Sequence, residues 1–87
     1  MLNMSPAPER LKTPEALALI RKYADKGVRV LGIEGFVVVP QGLLAGLDLI
    51  LDVSDAKTSP SEASVIAESF VRTNDRPNVV WEVWVDD

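Results

Sequence analysis

Three aspartates, Asp48, Asp52 and Asp55, have the spacing in this sequence that comes nearest to a chemical motif. On a strand Asp48 and Asp52 share a face, and Asp55 in a following loop can fold back to complete an oxygen site for magnesium or calcium. The glycine and the regular ligand spacing of a calcium loop are both missing. A solvated strand face ending in an acidic turn is therefore expected, with no bound metal. Glu34, between Gly32 and Gly35, falls at an expected turn tip, where a carboxylate can act as a general base. Turn chemistry accounts for the same three residues without catalysis. No serine sits in a Gly-x-Ser-x-Gly elbow, and the chain has no histidine to activate one. Cysteine is also absent, which removes thiolate nucleophiles, thiolate metal sites and disulfides. Ser59 and Ser61 flank a helix start able to hold an anion, but capping explains Ser59. The pairs Gly32/Gly35 and Gly42/Gly46 match no phosphate loop. No cofactor is expected. A small enzyme working with carboxylates alone is the least favoured function.

The 87 residues are 47% hydrophobic and 25% charged, with a net charge of −4. One globular domain fits that length, and disorder does not fit that apolar content. Residues 1–33 hold six bases and three acids, net +3; residues 34–87 hold three bases and ten acids, net −7. An acidic carboxyl-terminal part argues against nucleic acid as the partner, because phosphate binding needs a basic face. The amino terminus lacks the basic and apolar regions of a secretory signal, and no apolar run approaches the ~20 residues of a membrane span. The cytoplasm is the expected compartment and a membrane is not an expected partner.

Residues 1–12, with Pro6 and Pro8, read as an extended or flexible leader before a single α+β domain at 13–87. Thr13-Pro14-Glu15 predicts a helix over 14–26, with Thr13 as its cap, and Gly27 fits its left-handed terminator. A second helix is predicted over 60–72, opened by Ser59 and Glu62 as a capping box. Its apolar stripe is Ala63, Ile66, Ala67 and Phe70, with Val71 at the margin. Between the helices, strands are predicted at 28–33, 36–39 and 43–53, separated by turns at Glu34-Gly35 and Pro40-Gln41-Gly42. The third of these bends at Gly46. A fourth strand is predicted at 79–85. The order is α-β-β-β-α-β: one four-stranded mixed sheet, both helices on one face. The connection through the second helix is long enough for the last strand to run parallel to the one before it.

Strand parity sets Val79, Trp81, Val83 and Val85 on one face and Val80, Glu82, Trp84 and Asp86 on the other. With the first set against the helices, Trp84, Val80 and Ile50 leave the helix-free face unusually apolar. Either the leader crosses it with Leu2, Met4 and Leu11, or it is an interface, which is the favoured expectation. The interface set is Trp84, Val80, Ile50, Glu82 and Asp86. The expected function is a non-catalytic binding or regulatory module acting through protein–protein contacts, self-associating through that face. The alternative is an acidic immunity- or antitoxin-like inhibitor of a basic protein such as a nuclease toxin.

Overall fold

The computed structural model of the chain describes residues 8–86. Leu2 and Met4, the leader residues expected to cross the sheet, lie outside them. Helix α1 spans Thr13–Asp25 and α2 spans Pro60–Thr73, with strands β1 (Arg29–Val39), β2 (Gly42–Asp52) and β3 (Val79–Asp86). The order is α-β-β-α-β, and the sheet has three strands arranged β2-β1-β3, antiparallel at both seams.

The expected four-stranded mixed sheet is thus corrected. The stretches 28–33 and 36–39 are one continuous strand, because Glu34-Gly35 makes no turn. Gly35 is buried, and a Cβ placed on it would stand 2.6 Å from Trp81 Cζ3 and 3.1 Å from Leu49 Cβ. A Cβ on Gly32 would stand 2.8 Å from the Leu51 carbonyl oxygen. Both glycines thin the central strand where neighbours close in on it, a use of strand glycine that competes with turn formation. The chain is bent by register shifts instead. One lies between Val30 and Gly32 against β3, and the other between Glu34 and Phe36 against β2. At the second, residues 46–49 of β2 stand opposite Gly35 alone, so the bend expected at Gly46 is a bulge of four residues against one, larger than the usual two against one. The crossover through α2 does join strands of one direction, β2 and β3, but β1 lies between them.

The helix ends also differ in detail. Thr13 is not a cap: the Lys12 amide donates to Glu15 Oε1 at 3.1 Å, and the Thr13 hydroxyl accepts from Trp81 Nε1 at 2.9 Å. Gly27, at φ +70°, closes α1 in the left-handed region. Ser59 caps α2, its Oγ accepting from the Glu62 amide at 3.2 Å. The Glu62 carboxylate returns to the Ser59 hydroxyl, not to its amide, at 3.0 Å. The buried stripe of α2 is Ala63, Ser64, Ala67 and Val71; Ile66 stands 42% exposed.

The core lies between the helices and one sheet face, centred on Trp81, Ile20, Ile33, Leu49, Val30 and Val71. Trp81 is fully buried and meets Phe70 edge-on at 6.0 Å. Its backbone is tied to Leu11 by bonds of 2.7 and 2.8 Å, so the chain before α1 flanks the outer edge of β3. α2 packs on β1 and α1 on β3. β2 reaches the core through Leu49, with Leu51 at its margin and Val53 just past its end. Among the described residues no helix is long and apolar enough to cross a membrane.

Candidate functional site: the helix-free sheet face

Cross-strand partners point to the same face of a sheet, and the register fixes that face residue by residue. Gly32 pairs with Trp84, Glu34 with Glu82, and Phe36 with Val80 across the β1–β3 seam. Across the β1–β2 seam Gly32 pairs with Asp52, Glu34 with Ile50, Phe36 with Ala45, and Val38 with Leu43. Buried Ile33, Trp81 and Val83 belong to the opposite, helix-covered face. All five residues read as an interface from strand parity are therefore brought to one face. Trp84 is 42% and Ile50 47% exposed, and Val80 is half-buried. Asp86 is exposed at one end, within 3.3 Å of Arg29 Nη2.

Glu82 has a different environment from the rest. It is buried to 5% exposure, directly opposite Glu34. Like charges in register repel across a sheet, and a buried carboxylate is tolerated only with a partner. Arg10 supplies it: its Nε lies 3.3 Å from Glu82 Oε2, and its guanidinium carbon sits 5.5 Å from the centre of the Phe36 ring. One arginine thus answers a carboxylate and an aromatic face together. The face has a charged centre of Glu34, Glu82 and Arg10, bordered by Trp84, Ile50, Phe36, Val38 and Leu43.

Five of these residues lie outside the interface set read from the sequence: Glu34, Phe36, Val38, Leu43 and Arg10. Phe36, Val38 and Glu34 share a parity that becomes visible only once 29–39 is one strand, and the glycine pair hid that continuity. Arg10 had no signal, because it reaches the face through the tertiary bridge of Leu11 to Trp81.

The three aspartates are held apart by separate partners. Asp48 Oδ2 is 3.2 Å from Arg76 Nη2. Asp52 Oδ1 accepts from the Ser54 amide at 2.9 Å and its hydroxyl at 2.6 Å, which holds the Asp52 carboxyl below its ordinary pKa range. Asp55 Oδ1 accepts from the Lys57 amide at 2.9 Å. Among the described residues no three His, Cys, Asp or Glu side chains converge as metal ligands. Glu34 lies within a strand and not at a turn tip.

No family model matches this sequence, and no match appears among curated proteins.

On the helix side, a groove of about 530 Å³ runs between Leu11, Ala18, Leu19, Tyr23 and Val83, with Glu9, Glu15 and Lys22 among its lining residues. Its walls are mainly apolar, and it lies on the opposite side of the sheet from the Glu34–Glu82 pair.

Proposed function

We propose that the protein is a non-catalytic binding module acting through protein–protein contacts, with the helix-free sheet face as its contact surface. One observation carries the reading. Trp84, Ile50, Val38 and Leu43 stand 42%, 47%, 43% and 39% exposed on that face, around a centre in which Glu34 faces Glu82. An exposed tryptophan among further exposed apolar side chains marks an interaction surface, and tryptophan and arginine are among the residue types most enriched at binding hot spots.

Charge selects the occupant. The face carries Glu34, Glu82, Asp52 and Asp86 against Arg10 and Arg29, four acids and two bases, net −2. Self-association through this face, the form that strand parity alone suggests, sets net −2 against net −2. A protein presenting lysine or arginine among apolar side chains meets the face without that penalty. The best-supported reading is therefore an acidic inhibitor or regulator of a basic protein, a nuclease toxin being one such partner.

Immobilised wild-type protein should retain a basic protein from extract of the native cell. Trp84→Ser and Glu34→Lys should each lose it, and association of the purified pair should slow as salt rises. Equal retention by both variants, or an association rate indifferent to salt, would refute this use of the face.

A further inference from the structure

β2 is an edge strand with β1 on one side only, and its sequence, Gly42–Asp52, contains no lysine, arginine or proline. Natural sheet edges are usually guarded by such residues or by a bulge; the bulge at 46–49 interrupts this edge but leaves 42–45 and 50–52 in regular register with β1. Here Leu44 is 58% and Leu47 92% exposed on the strand. The neighbouring flank of α2 adds Val65 at 65% and Ile66 at 42%. Between strand and helix lies a groove of about 430 Å³, lined by Leu51, Val65, Ile66 and Phe70, with Ser69, Thr73 and Asn74. We propose that this side of the molecule is the surface on which a second copy of the chain docks. The two β2 edges would pair antiparallel, and the leucines of each would seat against the α2 flank of the other.

Three observations select a second copy as the occupant. The first is charge. The one charged residue within the strand, Asp48, is paired with Arg76 at 3.2 Å, and Asp52 lies at the strand's end, bonded to Ser54. Two such edges meet without the like-charge opposition of the Glu34–Glu82 face.

The second is symmetry. Antiparallel edges join about a two-fold axis normal to the sheet, which leaves the helices of both copies on one side. Each α2 flank then faces its own equivalent and the partner's β2, so one patch serves both copies.

The third is area. β2 runs alongside the eight residues 32–39 of β1, so at about 3.3 Å per residue its edge is roughly 26 Å long, and the molecule is 21 Å across its thinnest dimension. That wall is roughly 550 Å² on each copy, about 1,100 Å² in total, just above the ~1,000 Å² that a specific interface needs.

The test is sedimentation equilibrium of the full chain with variants of exposed residues, each checked for its fold by circular dichroism. Wild type should dimerise, with a dissociation constant of roughly 100 μM or tighter. Leu47→Asp and Leu44→Lys should each weaken the dimer at least about tenfold, whereas Trp84→Ser on the sheet face should leave it unchanged. In hydrogen exchange, the β2 amides directed away from β1 should gain protection as concentration rises. A wild type monomeric at roughly 500 μM would overturn the proposal. A dimer lost in Trp84→Ser and kept in Leu47→Asp would overturn it too, by moving the contact to the face. The face reading has its own readout, retention of a basic partner, so either idea can fail alone.

Discussion

Replacing Gly35 by alanine adds one methyl group at the most crowded point of the sheet. The new Cβ would stand 2.6 Å from Trp81 Cζ3, 2.9 Å from Trp81 Cε3 and 3.1 Å from Leu49 Cβ. None of the three can retreat cheaply. The indole is fully buried, its Nε1 donates to Thr13 Oγ1 at 2.9 Å, its edge meets Phe70, and its backbone is bonded to Leu11. Leu49 is 1% exposed within the β2 bulge. Forcing a methyl group into a filled core costs about 1–3 kcal/mol, and the upper half of that range fits a clash with two rigid ring atoms. A domain of this length has a total stability of roughly 4–13 kcal/mol. At about 4–8 °C per kcal/mol, the melting temperature should fall by roughly 8–24 °C. Urea and thermal unfolding followed by tryptophan fluorescence would measure it. A double-mutant cycle with Trp81→Phe, which removes the six-membered ring portion from that spot, should show positive coupling of about 1 kcal/mol. A melting temperature within ~3 °C of wild type would refute the packing account of Gly35, as would strict additivity in the cycle.

Gly27→Ala provides a contrast, since no atom lies within 4 Å of the added Cβ and only the φ of +70° is at stake; unfolding should show a loss of about 1–2 kcal/mol with no coupling to Trp81. Thr13→Val leaves the Trp81 indole N–H without its acceptor, and should cost about 1–3 kcal/mol in denaturant unfolding. The Asp52 carboxyl is lowered first by the Ser54 hydroxyl and then by the Ser54 amide, so its stabilisation is complete above the unfolded aspartate pKa and lost as pH falls through the depressed folded value. In an NMR titration Ser54→Ala should move Asp52 back toward the ordinary aspartate range and flatten the acid limb of stability; an unmoved Asp52 would refute the assignment.

The helices and the last strand were legible because local chemistry decides them. Pro14 and Pro60 suit the first turn of a helix, Gly27 takes a left-handed turn, and Val79–Val85 is an unbroken run of β-branched and aromatic residues around Glu82. The central strand was not legible, because Gly32 and Gly35 have the same composition as a turn. What separates the two is tertiary: Trp81 presses on one glycine and the Leu51 carbonyl on the other, from partners 46 and 19 residues away along the chain. Once that strand is whole, the parity of Glu34 and Phe36 follows and the face assembles itself around residues already read from β3. The aspartates show the converse. Their spacing on paper suggested a shared site, but the β2 bulge separates Asp48 from Asp52 by its extra residues, and each finds a nearer partner.

The unpartnered surfaces trace to one asymmetry in how the layers are laid. α1 lies over β3 and α2 over β1, and the Leu11 segment closes the outer edge of β3. Among the described residues every means of covering the sheet is therefore displaced toward β3, leaving β2 to project with its edge and much of its apolar content exposed. The opposite sheet face receives Arg10 from this arrangement. Those two surfaces differ in charge: the face is net negative, whereas the mid-strand acid of the edge, Asp48, is paired with Arg76, and charge bears on what each can meet. Pairing through the edge about an axis normal to the sheet would set the two acidic faces side by side, pointing the same way. A dimer of that form would present two adjacent sites to a basic partner. Two linked contacts hold far longer than one wherever the partner offers both at once, so a weak edge contact can strengthen the face without adding a residue to it.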